Sequence, residues 1–356
     1  MWIDSWPIII AAVCATVLTP IAIYARSLGH DDDFSGVQKV HDVSTSRLGG
    51  GIVVLAYFVT LAWVTHIDQT GLFAAILLAV CCLPVVLVGI WEDITRRVRP
   101  WHRLAASVLS AALASWLTEG IIARLDLPLI DGWLKHLIVV LPLTWFMVAG
   151  ACNAINLIDG AHGLAGGTAL MMFSGLAAMA AHVGDSLVLA QALAMIGAIA
   201  GFLIWNYPRG RVFLGDAGAY FLGFMYAELS IQIVARNPGV SAWFVIALAA
   251  YPIIETVYSI YRRKLVHRTA SMQPDAGHLH SLIRLRLAAR PEGRRLPKGS
   301  NGRVNARVAP RLWLHGAICL AVALVFYNNT PALIVFSAIY GAYYVACYRW
   351  QLRKGA

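Results

Sequence analysis

The chain has 356 residues, 59% hydrophobic and 13% charged, with a mean hydropathy of +0.69; ordinary soluble domains run at roughly 45–50% and about 25%. That balance excludes a disordered chain, a disulfide-stapled secreted domain and almost any soluble enzyme, and it calls for a bilayer as solvent. The formal net charge of +10 suits either nucleic acid or a membrane surface, and the placement of the basic residues decides between them.

A helix needs about 20 apolar residues to cross the hydrocarbon core. Eleven stretches qualify, at residues 6–24, 50–64, 72–90, 104–117, 134–151, 164–181, 187–205, 219–234, 242–260, 312–326 and 332–347. The second, fourth and tenth are short, which leaves ten or eleven spans. Their unbroken apolarity excludes barrel strands. The predicted fold is an all-α integral membrane protein: one polytopic domain over 1–356, a bundle of about 11 transmembrane helices, with a long basic loop at 261–311.

Take the N-terminus as outside and alternate sides. One set of loops then holds 25 of the 28 Lys and Arg, and the other holds only Arg124, Lys135 and Arg236. The positive-inside rule puts the rich set, with the C-terminus, in the cytoplasm. The charge is thus a topology signal, and no nucleic-acid partner is expected. The block from Arg262 to Arg311 carries 13 basic residues and suits anionic lipid headgroups. No basic residue precedes Arg26, so the first stretch reads as an uncleaved helix rather than a signal peptide. The six cysteines have no zinc-site spacing and read as free thiols.

Acidic residues on the basic-rich side include Asp31, Asp32, Asp33 and Asp42, then Glu92, Asp93, Asp159, Asp216 and Asp275. Five of these belong to clusters with chemistry. Glu92 and Asp93 are adjacent carboxylates followed by Arg96, Arg97, Arg99 and Arg103, whose guanidinium groups match phosphate oxygens. Asn153, Asn156 and Asp159 are spaced by three, which puts two amides and a carboxylate on one helix face, ahead of Gly160, His162 and Gly163. A helix cap would need only one of them. Asp216 stands between Gly215 and Gly218 at a helix start and suits a hard cation such as Mg²⁺; an N-cap is the plainer alternative. His278 and His280 follow Pro274 and Asp275, and they suit phosphate, metal or a sugar hydroxyl. Glu228 and Glu255 lie within apolar spans, so each is expected to face the bundle interior. One-sided carboxylates, glycine loops and arginines at a bilayer surface point to phosphoryl chemistry between a cytosolic and a lipid substrate.

These motifs resemble the polyprenyl-phosphate N-acetylhexosamine-1-phosphate transferases. The resemblance runs from about Arg47 to His280, through Arg47-Leu-Gly-Gly50, Gly89-x-x-Glu92-Asp93, Asn153-x-x-Asn156-x-x-Asp159-Gly, Phe213-Leu-Gly215-Asp216-x-Gly, Pro252-x-x-Glu255 and His278-x-His280. It implies transfer of a sugar 1-phosphate from a UDP-sugar to polyprenyl phosphate, with release of UMP and use of Mg²⁺ or Mn²⁺. It implies a multi-pass protein of the bacterial inner membrane that works among membrane lipids, often as a homodimer. By resemblance, Asp216 ligates the metal with Asp159. Glu92, Asp93 and Asp159 are catalytic. Arg47, Asn153, Asn156, His162, Asn206, Phe213, Gly215, His278 and His280 bind substrate. The chain departs from the pattern: Glu92 stands for the first of two paired aspartates, His162 for an aspartate near the uracil, Glu255 for an aspartate, Ala276 for a basic residue and Ser281 for a third histidine. Residues 288–311 read as a basic insertion. A transporter is the alternative of another class, and it would need broken helices with polar groups at mid-membrane. A catalytically degenerate, lipid-binding member of the family is the third reading.

Overall fold

Helices make up nearly all the regular structure of the computed structural model, which describes residues 6–24, 30–31, 45–67, 72–266, 277–289 and 301–353. In chain order they are α1 (Trp6–Tyr24), α2 (Gly49–Ile67), α3 (Leu72–Thr95), α4 (Pro100–Leu117), α5 (Pro128–Asp131), α6 (Leu137–Ile158), α7 (Leu164–Val183), α8 (Ser186–Asn206), α9 (Gly215–Arg236), α10 (Ala242–Leu248), α11 (Ala250–Tyr261), α12 (Leu279–Ala288), α13 (Asn301–Ala306), α14 (Ala309–Val325) and α15 (Thr330–Arg353).

Each of the eleven predicted stretches falls on a helix, but the count of eleven spans is not reached. Among the described residues eight helices are long and apolar enough to cross a membrane, or nine if α10 and α11 are taken as one bent span. The apolar part of α2, Gly49–Val64, is too short. The fourth, α4, carries His102, Arg103 and buried Ser107, Ser110 and Ser115, polar groups that pay their way through contacts inside the bundle. The tenth is longer than predicted, because α13 and α14 run on as one stretch from Gly302 to Val325. The described parts of the 261–311 loop are therefore largely helical. Asp4, Asp32, Asp33, Asp42, Asp68, Pro274, Asp275 and Ala276 lie outside the described residues.

The centre is α9, which buries all but three of its 22 residues and packs on α6, α3 and α2. Small residues permit this. A Cβ on Gly50 of α2 would strike the backbone of Gly218 and the carbonyl of Leu214, so the two helices cross almost backbone to backbone. Two short strands, β1 (His30–Asp31) and β2 (Thr45–Ser46), pair antiparallel. Beyond β2, the chain is laced to the loop before α9. Phe213 N–H donates to the Ser46 carbonyl (2.8 Å), Gly49 N–H to that of Phe213 (3.1 Å) and Gly50 N–H to that of Leu214 (2.8 Å). These bonds fix Arg47 beside the start of α9.

The span predicted at 242–260 is broken: α10 and α11 meet at 74°. The break falls at Ala249, between apolar residues. Glu228 and Glu255 face the interior, as expected. Glu228 accepts from the Thr118 hydroxyl (2.7 Å) and the Gln232 amide (3.0 Å). The poorer set of charges gathers at one end of the bundle. There Arg124 pairs with Asp126 and donates to the Val240 carbonyl (2.5 Å), and Arg236 lies 3.6 Å from Asp185.

Candidate active site

Asp93, in the last turn of α3, sets the geometry. One carboxylate oxygen accepts from the Asp216 backbone N–H (2.8 Å) and the other from that of Ala217 (3.0 Å). Leu214, at the N-cap position of α9, has no side-chain oxygen to offer, so Asp93 caps that helix from across the bundle. Gly215 has φ +70°, and a Cβ there would strike both the Arg47 carbonyl and the Asp93 carboxylate. The two predicted neighbours therefore part. Asp93 is fully buried under α9, whereas Glu92 lines the cavity and accepts from the Val98 N–H (2.8 Å).

Asp216 is the focus. Its carboxylate meets Arg103 Nη1 at 2.5 Å, Arg47 Nη2 at 3.5 Å and the Asn156 amide at 3.2 Å. Arg47 also lies 3.6 Å from Asp93. Of the four arginines after Asp93, only Arg103 turns inward; Arg96, Arg97 and Arg99 are exposed. The signal was Pro100, a helix-starting residue that puts Arg103 on α4 rather than in the loop. Asp159 ends α6 and lines the same cavity. Burial pushes its carboxyl up to about 7; the Arg47 guanidinium opposes the rise and Asp216 adds to it. Asn153 donates to the Ala149 carbonyl (2.8 Å) and accepts from the Tyr220 hydroxyl (3.3 Å), a partner the sequence did not single out.

Asn206 works through the backbone. Its amide oxygen accepts from Gly163 N–H (2.7 Å) and its NH₂ donates to the Val212 carbonyl (2.7 Å), joining the start of α7 to the loop before α9. His162 lies 3.3 Å from the Pro208 carbonyl, and its ring sits 5.9 Å from that of Phe213.

The histidines line the same cavity, and a Cβ on Gly160, the neighbour of Asp159, would strike the His280 ring. His278 Nδ1 lies 3.2 Å from Glu255 Oε1, and its Nε2 lies 3.1 Å from Arg263 Nη2. An arginine only donates, so Nε2 accepts and Nδ1 carries the proton toward Glu255. Glu255 also accepts from Leu279 N–H (3.3 Å) and, through its other oxygen, from the Tyr344 hydroxyl of α15 (2.7 Å). The His280 ring stacks parallel to that of His278 at 5.5 Å. Burial, with help from His278, pushes His280 down to about 4, so it is neutral at pH 7.

All the predicted site residues except Asp93 line one cavity of about 1260 Å³. Its polar end holds Arg47, Glu92, Asp159, Asp216 and the two histidines. The remainder runs between Phe146, Ile231, Val245 and Ile253 to Arg124 at the other end of the bundle. A water-soluble anion and a long apolar chain could therefore meet at one point. Among the described residues, no three His, Cys, Asp or Glu side chains are placed so as to hold a metal ion together. A metal here would draw on one or two carboxylates, which is how Mg²⁺ is commonly held beside substrate phosphates.

The profile of glycosyl transferase family 4 matches residues 75–234, which span α3 to α9. The chain is 28% identical over 288 residues to a probable undecaprenyl-phosphate N-acetylglucosaminyl 1-phosphate transferase of Bacillus subtilis, covering 76% of this chain and 75% of that protein. It is 33% identical over 203 residues to the phospho-N-acetylmuramoyl-pentapeptide-transferase of Lacticaseibacillus paracasei, covering 53% and 61%. Against the transferase of the same name from Limosilactobacillus fermentum it is 26% identical over 235 residues, covering 63% and 70%. The matched residues carry the Asp93 cap, the Asp216 focus and the Asn153-Asn156-Asp159 face, and over them the chain is similar to glycosyl transferase family 4 and to the transferases just named.

Proposed function

We propose that this protein transfers a sugar 1-phosphate, an N-acetylhexosamine 1-phosphate, from a UDP-sugar to undecaprenyl or a similar polyprenyl phosphate at the cytoplasmic face of a bacterial inner membrane. A new P–O bond joins the acceptor phosphate oxygen to the phosphorus that carries the sugar, and the P–O bond to UMP breaks. The product would start a cell-surface polysaccharide, either a lipopolysaccharide O-antigen or a cell-wall polymer. The observation that carries this reading is the cavity itself, with Asp216, Arg103, Arg47 and Asp159 at one end and an apolar channel leading away from them.

The donor set fits Mg²⁺, with Mn²⁺ as substitute: Asp216 and Asp159 supply carboxylate oxygens and Asn156 an amide. A bound divalent ion would neutralise phosphate charge in the transition state. The chain's own residues do the rest. Arg103 and Arg47 hold the Asp216 carboxylate in place, Asn156 steadies it, and the apolar channel keeps water from the acceptor. Asp159, with its carboxyl near 7, can take or hold a proton at neutral pH.

The test is purified protein in detergent with undecaprenyl phosphate and a panel of UDP-sugars, scored by UMP. UMP release that needs the lipid phosphate, one UDP-N-acetylhexosamine and a divalent ion is the expected result. Binding of a UDP-sugar with no turnover in any combination would sink the reading.

A further inference from the structure

We propose that Arg284 of α12 is a phosphate-binding residue of this cavity. The proposal rests on the transferase reading above.

His280, Ser281 and Arg284 all line the cavity. His280 and Arg284 are four residues apart and share a face of α12, while Leu279 and Ile283 pack into the core behind. The helix is therefore fixed in rotation, with this face turned to the substrate space. Its start is also fixed, by Leu279 N–H on Glu255 and by Tyr348, whose hydroxyl donates to the Gly277 carbonyl (2.8 Å).

The charge balance of this wall is unusual. Glu255 takes its hydrogen bonds from His278, Leu279 and Tyr344, and none of the three needs to be cationic. His278 Nε2 lies 3.1 Å from Arg263 Nη2 and its Nδ1 faces Glu255. Both ring nitrogens of His278 are therefore taken, and it has no N–H left to offer an anion. Elsewhere around the cavity Arg47 and Arg103 are committed to Asp93 and Asp216, and Arg263 to His278. Arg284 is half-buried and has no acidic partner among the described residues. Its neighbour Arg286 differs: it lies over the Trp350 ring (4.0 Å), meets Gln351 (3.2 Å) and does not line the cavity.

A partly desolvated guanidinium without a counter-ion is unfavourable until an anion arrives, and its fork matches phosphate oxygens. The phosphate has two possible sources, the diphosphate of the nucleotide donor or the headgroup of the lipid acceptor.

The test measures KM for each substrate at saturating levels of the other, in wild type, Arg284→Ala, Arg284→Lys and the charge-matched control Arg286→Ala. A rise of about tenfold or more in one KM is expected for Arg284→Ala. A smaller rise is expected for Arg284→Lys, which keeps the charge and loses the fork, and both KM values should hold in Arg286→Ala. A rise confined to the UDP-sugar assigns Arg284 to the donor diphosphate, and a rise confined to polyprenyl phosphate assigns it to the lipid headgroup. Both KM values within twofold of wild type in a folded Arg284→Ala would overturn the proposal. If the wild type turns over nothing, the transferase reading fails separately, and inorganic pyrophosphate binding by calorimetry still decides about Arg284: weaker binding in Arg284→Ala supports it, and equal binding overturns it.

Discussion

Two adjacent carboxylates, Glu92 and Asp93, end with different tasks. Asp93→Ala removes the cap of α9 and should cost about 0.5–2 kcal/mol, read as a lower unfolding temperature in detergent. Asp93→Asn keeps one acceptor and should lose less. Asp216→Asn should instead cut turnover by about 100-fold or more, measured as UMP release. Asp159 makes a prediction about pH. Its folded value of about 7 lies above the roughly 3.9 of an unfolded aspartate, so the native state holds the proton to higher pH. The stability this gives is complete below about pH 4 and is lost as pH rises to about 7. His280, lowered to about 4, works in the opposite sense: its contribution is present above about 6.5 and is lost as pH falls through 4. In buffer without divalent ions, wild type should lose more unfolding temperature between pH 5 and 8 than Asp159→Asn; the His280 contribution is common to both. The Asn153-Asn156-Asp159 face was legible because a period of three on a helix fixes a shared side. Which of Glu92 and Asp93 turns inward was not, because the N–H groups that claim Asp93 come from 123 and 124 residues along the chain.

At the scale of elements, the sequence located the helices but not their breaks or their partners. The 242–260 stretch carries Pro252 three residues after the 74° bend, a helix-breaking residue that a count of apolar residues passes over. The bend follows from how α10 and α11 pack: α10 lies on α14 and α15, and α11 lies on α6. The close crossing of α2 and α9 is a sharper case. Gly50→Ala should destabilise the protein by about 1–3 kcal/mol, because the backbone at Gly218 cannot move aside as a flexible side chain would. An unfolding temperature unchanged from wild type would contradict that crossing. The link from α15 to the histidine wall gives another prediction. Tyr344→Phe leaves one oxygen of the buried Glu255 without its donor, at a cost of about 1–3 kcal/mol. It should also loosen His278, so that turnover falls several-fold while Tyr340→Phe, on the same helix but bonded to His315 instead, spares it. No spacing rule joins residues 255, 278 and 344.

The whole molecule segregates its charges. Arg47, Arg103, Asp159 and Asp216 converge at one end, and Arg124, Asp126, Asp185 and Arg236 gather at the other. By the positive-inside rule, we expect the first end to face the cytoplasm. In a background with Cys14 and Cys347 replaced by Ser, Asp131→Cys should react with an impermeant maleimide on intact cells. Arg97→Cys should react only after the membrane is opened. Equal labelling of both on intact cells would refute that orientation.

The sequence by itself determined that the chain is helical and belongs in a bilayer, because apolar run length and the lack of solvent for bare backbone leave no other choice. It also singled out four polar clusters, because so few polar residues are tolerated there that each one stands out. Only the tertiary structure decided which carboxylate caps and which faces the cavity, that Arg103 rather than its neighbours meets Asp216, and that His278 stands against Glu255. Those outcomes depend on hydrogen bonds between residues more than twenty, and often more than a hundred, positions apart, which form only once the helices have packed.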